Sequence, residues 1–232
     1  MMTKASLTIG LTLILAAPLL AADKEVEALL AKMREAYSST KSAKMTVKTS
    51  GLRFGKETLT TEIAYMRDRK IYAQTTGAGP FTGKPRTFVS DGANISYSDF
   101  SGNIQKMKFD LDLIPIPVNL EAMSFWDWKR QLSTSPGSNM EKSQFKLANG
   151  KEWNGKRWTV LGEIAHGQNV YVDYYIDPKT SLIYRVQVYD LERKQLRIET
   201  VVTRLERNVK LDSGQFKVKA GPGGSTPKKI IF

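Results

Sequence analysis

The stretch YVDYYIDPKTSLIYRVQVYD, residues 171–190, contains the pattern that decides the fold. Two runs of alternating side chains flank the turn signal DPKT, which predicts an antiparallel hairpin. Because alternate side chains of a strand point to opposite faces, each strand divides into two sets. One set is apolar throughout, and the other mixes tyrosines with charged residues. The hairpin therefore predicts a sheet that wraps around something apolar.

We expect the uniformly apolar set on the concave side of this sheet and the mixed set on its outer wall, where amphipathic tyrosines tolerate water. The apolar set is Val170, Val172, Tyr174 and Ile176 in the first strand and Leu182, Tyr184, Val186 and Val188 in the second. The mixed set is Tyr171, Asp173 and Tyr175, opposed by Ile183, Arg185, Gln187 and Tyr189. The pattern leaves open whether the apolar partner is a helix of the same chain or a lipid.

The same period of two recurs along most of the chain, with Gly-containing turns between the runs. Asp91-Gly92 lies between two apolar runs and is a strong hairpin signal. Such closely spaced strands indicate an antiparallel meander. Strands are predicted at 44–51, 57–67, 69–76, the hairpin 86–99, 102–110, 143–150, 156–164, 169–177, 181–190 and 194–208, with a closing strand in GQFKVK at 214–219.

The amino-terminal region predicts export. One lysine precedes an apolar run that is too short for a membrane span, which is typical of a secretory signal peptide at residues 1–22. A helix follows from Lys24 to Tyr37, with Asp23 as its cap. No cysteine follows the apolar run, so we expect no lipid anchor there and a soluble periplasmic protein. We expect one domain over residues 23–220 and a Gly/Pro-rich tail over 221–232.

The segment LIPIPVNLEAMSFWDWKRQL, residues 113–132, interrupts the strands. Its two prolines are incompatible with a central strand. A short helix is predicted from about residue 120 to residue 132, with Phe125, Trp128 and Leu132 on one face. Trp126 points elsewhere, so this helix is apolar on more than one side, whereas a surface helix needs only one apolar stripe.

The composition excludes several chemistries. The chain has no cysteine, which excludes thiol catalysis and cysteine–zinc sites. Its one histidine, His166, has no partner at a recognisable metal or catalytic spacing. No phosphate loop, nucleophile elbow or calcium loop is present. We therefore expect that the protein is not an enzyme and uses no cofactor or metal.

The charge balance is strongly basic. Lys and Arg number 35 against 23 Asp and Glu, a formal net charge of +12. Such an excess favours nucleic acid, anionic lipid or acidic partners, although it also fits a solvated basic surface. Because export argues against nucleic acid, anionic membrane surfaces and proteins of the inner or outer membrane remain as expected partners.

The order of elements resembles the LolA-like superfamily of periplasmic lipoprotein carriers, which includes LolB and RseB. TFVSDGANISYSD at 87–99 is similar to the strand–Asp-Gly–strand hairpin of the family, and YYIDPKTSLIYRVQVYD at 174–190 to its Asp-Pro hairpin. NVKLDSGQFKVKAGPGG at 208–224 is similar to its closing strand and Pro-Gly end. The resemblance implies an α+β, mostly β fold: a curved antiparallel half-barrel of about eleven strands, with amino-terminal and middle helices over the concave face.

The resemblance also implies a function. The cavity of the family takes acyl chains, and an arginine on an early strand helps to keep its lid closed. Arg67 or Arg69 in YMRDRKIYAQ, residues 65–74, stands where that arginine would be. A soluble carrier, monomeric and periplasmic, is thus expected to act as a chaperone that transports lipid or lipoprotein acyl chains.

Elementary energetics agrees with a cavity. An acyl chain of ~14 methylenes costs about 11 kcal/mol to hold in water, at roughly 0.8 kcal/mol per methylene, so a carrier must offer a dry concave surface. The residues expected to line the cavity are Ile63, Tyr65, Phe88, Ile95, Tyr97, Trp126, Trp128, Tyr174 and Tyr184. The alternative is that these side chains only complete an ordinary core.

A second functional hypothesis is a single-domain protein-interaction or stress-sensing module of the RseB type without a transport role. An anchored receptor of the LolB type is disfavoured, because the chain has no cysteine to carry the anchor.

Overall fold

The computed structural model describes residues 12–51, 57–77, 85–98, 103–108, 144–165 and 170–218, with side chains described from residue 24 onward except at positions 144, 149 and 165. One helix and eleven strands lie in these ranges. The helix is α1 (Thr12–Ser39), and the strands are β1 (Ser42–Gly51), β2 (Thr58–Met66), β3 (Lys70–Thr76), β4 (Arg86–Asp91), β5 (Asn94–Ser98), β6 (Ile104–Lys108), β7 (Gln144–Trp153), β8 (Lys156–Ala165), β9 (Val170–Ile176), β10 (Ile183–Asp190) and β11 (Leu196–Arg207).

All eleven strands form one open, curved antiparallel sheet, which confirms the predicted fold class. The strand order is β6-β5-β4-β3-β2-β1-β11-β10-β9-β8-β7. Adjacent strands of the sheet are also consecutive in the chain, except for β1 and β11, whose pairing joins two meanders. We call β1–β6 the amino-terminal half and β7–β11 the carboxy-terminal half of the sheet.

Short turns with specific side-chain bonds connect the strands. In the β4–β5 hairpin, the Asp91 carboxylate accepts bonds from the N–H groups of Ala93 and Asn94 at 2.9 and 2.7 Å. In the β9–β10 connection, Asp177 Oδ1 accepts from Lys179 N–H at 2.9 Å. Both predicted Asp turns are therefore confirmed, and each aspartate satisfies backbone donors that the turn would otherwise leave unpaired.

Two Asn-Gly pairs near β7 play different roles. Asn154 and Gly155 both have positive φ angles, 51° and 67°, and close the β7–β8 hairpin. Gly150 also has a positive φ of 83°, but it lies within β7 at a bulge where the register shifts. Such bulges bend a strand and increase its twist.

Helix α1 packs one apolar stripe on the sheet, as predicted. Its buried side chains are Val26, Leu30, Met33 and Tyr37. The prediction that Asp23 caps the helix is wrong, because the helix begins at Thr12 and residue 23 lies inside it. The stretch upstream of residue 23 is rich in Ala and Leu, which favour a helix, and the helix continues through it although Pro18 lies within it. Among the described residues, no helix has the combined length and apolar character that crossing a membrane requires.

The prediction of a closing strand in GQFKVK is wrong for residues 214–218, the part of this segment that the structure describes. The chain forms a 3-10 turn at Ser213–Phe216 instead. The Asp212 side chain accepts a bond from Gly214 N–H at 2.9 Å, which caps the turn. This local bond competes successfully with strand pairing. Phe216 is buried, and the turn contacts β3 and β4.

The main core lies on the sheet face that α1 covers, which we call the inner face; the opposite side is the outer face. Buried side chains of one cluster come from nine neighbouring strands, β5 through β1 and β11 through β8. Met107 of β6 and Phe145 of β7 pack against its two ends. The inner face is therefore apolar across both halves of the sheet.

Candidate ligand-binding face

Five of the residues expected to line a cavity lie together on the inner face of the amino-terminal half. Ile63, Phe88 and Tyr97 fall in one row across the sheet, since Ile63 pairs with Ala73, Ala73 with Phe88, and Phe88 with Tyr97. Tyr65 and Ile95 belong to the next row, which runs through Ile71 and Ser90. All five are buried in the core cluster with α1. The structure thus brings these five residues together on one face of the sheet.

Tyr174 lies on the inner face of the carboxy-terminal half. It pairs with Leu161 on one side and Val186 on the other, and both belong to the inner cluster. Its hydroxyl donates to Glu163 Oε2 at 2.6 Å. Burial raises the pKa of the Tyr174 hydroxyl well above its usual value, and the neighbouring carboxylate adds to the shift.

Tyr184 lies at a bulge that the alternation of the sequence does not reveal. The register of β10 on β9 shifts between Ile183 and Arg185, so that Ile183 is buried in the inner cluster although its place in the alternation predicts the outer wall. The Tyr184 ring lies 5.6 Å from the ring of Trp158 and packs against both clusters of the core. A contribution of Tyr184 to a ligand cavity stays a prediction.

Arg67 contacts the carboxy-terminal end of α1. Its Nη2 donates to the Ser38 carbonyl at 2.9 Å, and Arg207 Nη2 donates to the Ala36 carbonyl at 2.9 Å. Cationic donors at this end satisfy open carbonyls and suit the helix dipole. Arg69 lies in the same β2–β3 turn, with a φ of 60°. The predicted lid contact of either arginine remains untested, because Trp126, Trp128 and the rest of the middle segment lie outside the described residues.

Glu163 is a charged inner-face residue that the sequence alone did not identify. The apolar alternation of β9 identifies Val172 as inner, and the four residues between β8 and β9 place Glu163 opposite Val172. Counting the register across this short connection would have found Glu163, whereas the local sequence LGEIA favours Ile164 as the inner residue.

The outer face of the carboxy-terminal half has a layer of rings and ions. The Arg185 guanidinium lies 4.8 Å from the ring centroids of both Trp153 and Tyr175. Its Nε donates to Glu199 Oε1 at 2.7 Å, and Gln187 Nε2 donates to the same oxygen at 3.0 Å. The cation thus lies beside two neighbouring rings, whose centroids are 6.0 Å apart, and is paired with a carboxylate.

Asp173 is the centre of a second set of ionic contacts on this face. The side chain is 1% exposed, and its Oδ2 accepts from Lys151 Nζ at 3.0 Å and from Arg193 Nη2. The Arg193 guanidinium also lies 4.4 Å from the Tyr171 ring centroid. Gly162 leaves the room for Tyr171, because a Cβ there would lie 2.1 Å from the tyrosine hydroxyl. The predicted mixed face is therefore an ordered, bonded layer.

No family model matches the sequence, and no curated protein matches it. Solved structures do match. A crystal structure of an uncharacterized conserved protein from Thermus thermophilus has a TM-score of 0.54 at 10% identity, with 83% of this chain and 92% of that chain covered. At 10% identity, this similarity shows that the two chains share a fold.

Two further solved structures resemble the chain less closely. One is the MucA/MucB complex of Pseudomonas aeruginosa, with a TM-score of 0.48 at 14% identity over 84% of this chain. This chain spans 61% of the matched chain in that complex. The other is a putative outer membrane lipoprotein-sorting protein domain from Vibrio parahaemolyticus, with a TM-score of 0.40 at 16% identity, covering 84% of this chain and 97% of that chain. The chain therefore has a fold, one open and curved antiparallel sheet with a helix on its inner face, that it shares with the Thermus protein.

Proposed function

We propose that this protein is an exported periplasmic carrier that binds the acyl chains of a lipid or lipoprotein on its inner face. The observation that supports the proposal most is the width of the inner apolar cluster. Nine strands at a spacing of ~4.8 Å extend for about 40 Å across the sheet. An α-helix with its side chains is only about 10–12 Å wide.

An apolar surface of that width needs a cover. Soluble proteins rarely expose contiguous apolar patches of more than a few hundred Å². In our proposal, segments of the chain itself cover the inner face when no ligand is bound, and an acyl chain replaces part of that cover in the complex. The energetic gain of about 0.8 kcal/mol per buried methylene is then available for binding.

The test is native mass spectrometry of the purified protein, first as isolated and then after removal of lipid and titration with a phospholipid. We expect complexes with one acyl lipid per chain. A matched pair of variants locates the site: Ile63→Trp adds bulk to the inner face of β2, and Tyr72→Trp adds bulk to the outer face of β3. The inner variant should bind severalfold less lipid, whereas the outer variant should bind as the parent does. Complete absence of lipid in every condition would refute the proposal.

A second candidate function is a protein-interaction module. The observation that favours it lies at the β10–β11 turn, where Leu191 is 49% and Leu196 is 37% exposed. These are the exposed large apolar side chains of the described ranges. Capture of one stoichiometric periplasmic protein, lost in the Leu191→Ser/Leu196→Ser double variant, together with no lipid binding, would favour this function over the carrier.

A further inference from the structure

The inner face of the carboxy-terminal half has one buried acid among its apolar side chains. Glu163 of β8 pairs with Val172 of β9 and with Phe145 of β7. Directly opposed residues of antiparallel strands project to the same face, and both partners of Glu163 pack in the inner cluster. Glu163 therefore faces inward, and it is only 9% exposed.

Tyr174 shares this position on the face. Its O–H group donates to the Glu163 carboxylate over 2.6 Å, a short distance typical of a charge-assisted bond. The hydroxyl stays protonated far above neutral pH, because burial raises its pKa. The pair thus presents a carboxylate and a phenol together, next to apolar neighbours such as Leu161 and Val186.

A buried carboxylate is costly for the protein. Removal of an ionised carboxylate from water costs several kcal/mol before its bonds compensate, and apolar replacements at such sites are often neutral or stabilising. If the inner face had only to bind an alkyl chain, a leucine at position 163 would be sufficient. Ligand pockets, by contrast, combine mostly apolar walls with a few placed polar groups that orient the ligand.

We propose that Glu163 and Tyr174 form a head-group site on the inner face, and that the ligand is a lipid whose polar end carries an ammonium group. This inference rests on the proposed acyl-chain binding and adds the chemistry of the head group. A carboxylate can accept up to about four hydrogen bonds, so Glu163 bonds to an ammonium donor while it keeps its existing contacts, including the bond from Tyr174. An anionic head group would meet a like charge in a poorly hydrated place.

The overall charge of the chain predicts the opposite preference. A net charge of +12 attracts anionic ligands from solution. At about 0.15 M salt, however, surface charges are screened beyond roughly 8 Å, while a buried contact is screened much less. A comparison of simple amphiphiles of opposite charge therefore distinguishes binding at the Glu163–Tyr174 site from attraction by the net charge of the whole chain.

The experiment is calorimetric titration of the purified full chain at physiological salt with three ligands of equal chain length: dodecylammonium, dodecanol and dodecanoate. We expect dodecylammonium to bind most tightly and dodecanoate least, with at least a tenfold difference between the two, as is usual for a hydrogen bond between charged groups. Equal affinities, or preference for dodecanoate, would overturn the head-group site while leaving acyl-chain binding intact. Binding of none of the three would overturn both.

Variants then assign the preference to the carboxylate. Glu163→Gln keeps the shape and removes the charge, and Glu163→Leu removes the polar group but favours folding by retaining an apolar wall. Both should bind dodecanol and lose the preference for ammonium. The control Glu152→Gln makes the same charge change at an exposed position of β7 and should keep the preference. A preference that survives in the folded Glu163 variants would overturn the assignment.

Discussion

The two halves of the sheet share one inner apolar face but differ on the outer face. In the carboxy-terminal half, Arg185 lies beside the rings of Trp153 and Tyr175, and Asp173 binds two cations. In the amino-terminal half, the described outer contacts are hydroxyl bonds, such as the 2.9 Å bond between Thr87 and Ser98, and apolar packing at the buried Val89. The outer layer of the carboxy-terminal half is thus mainly ionic and aromatic, whereas the described outer contacts of the amino-terminal half are neutral.

This difference has a consequence for ligand exchange. In the proposed function, the cover of the inner face has to rearrange when an acyl chain is loaded and released. We expect the half with the ionic and aromatic outer layer to keep its shape during that step, and the amino-terminal half to adjust. Regions with few bonded contacts open most readily. The following predictions, ordered by expected effect, test whether the halves differ in this way.

The largest effect should come from the inner face of the amino-terminal half. Phe88→Ala removes a buried ring and should lower the free energy of unfolding by about 3–5 kcal/mol. Tyr72→Ala, a control on the outer face of the neighbouring strand, should cost about 1 kcal/mol, the usual cost of a substitution outside a core. Urea denaturation followed by circular dichroism measures both. Equal losses would mean that this half is also held from its outer face.

Gly162→Ala tests how tightly the outer layer of the carboxy-terminal half is packed. The new Cβ would lie 2.1 Å from the Tyr171 hydroxyl oxygen and 3.0 Å from its ring, so Tyr171 must move away from Asp173. We expect a loss of about 1–3 kcal/mol in the free energy of unfolding, the usual cost of overpacking. The loss should shrink in a Tyr171→Phe background, because the clashing oxygen is gone. Strictly additive costs in this double-mutant cycle would contradict the clash.

Arg185→Lys tests the stacked cation. Lysine keeps the charge but loses the planar group that lies against Trp153 and Tyr175, so we expect the free energy of unfolding, measured by heat or urea, to fall by about 1–2 kcal/mol. The control is Arg204→Lys, since Arg204 pairs with Glu206 at an exposed site of β11. Exposed pairs contribute little, about 0.5 kcal/mol here. If Arg185→Lys costs no more than the control, the outer layer does not stabilise its half.

The smallest effect concerns the two Asp turns. Burial alone would raise the pKa of the Asp91 and Asp177 carboxyls, but bonds that favour the charged form outweigh it and leave both pKa values below the usual one. Because the folded-state pKa lies below the unfolded value of about 3.9, each carboxylate stabilises the fold above about pH 4. That contribution is lost as the pH falls through the folded-state pKa.

Salt should separate the two turns. Asp91 is held chiefly by backbone N–H groups, whereas Asp177 also binds Lys156 Nζ at 2.9 Å, and the lysine side chain is substantially exposed. Exposed charges are screened by salt, while a short bond from an N–H group is not. In NMR titrations at low and high salt, the pKa of Asp177 should rise towards its usual value more than that of Asp91. Equal salt responses would contradict this account of the turns.

Much of the fold follows from local sequence signals. Asp91-Gly92, the DPKT turn and Asn154-Gly155 each require a specific backbone conformation, so the hairpins and strand order within each half could be predicted. The pairing of β1 with β11 joins residues far apart in the chain and has no local signal. The bulge at Tyr184 and the cap at Asp212 depend on single bonds and registers that alternation does not encode.

The candidate site was predictable to a similar degree. Ile63, Phe88 and Ile95 were expected to line one cavity, because each residue type strongly favours burial, and the structure places all three on the inner face. Glu163 was missed, since a single charged residue in a strand is usually exposed, and its inward position follows only from the register with Val172. A polar residue on an apolar face is therefore identified from the strand register across a hairpin, and not from its residue type.

The most direct test of the central claim, that the inner face binds acyl chains, is residue-level mapping with a photoreactive fatty acid that carries a diazirine near the end of its chain. After irradiation and proteolysis, mass spectrometry should find labels on inner-face residues such as Ile63, Phe88 and Ile95. Excess unlabelled fatty acid should abolish these labels. Labels on outer-face neighbours such as Tyr72 and Val89 instead, or labelling that excess ligand does not reduce, would contradict the account.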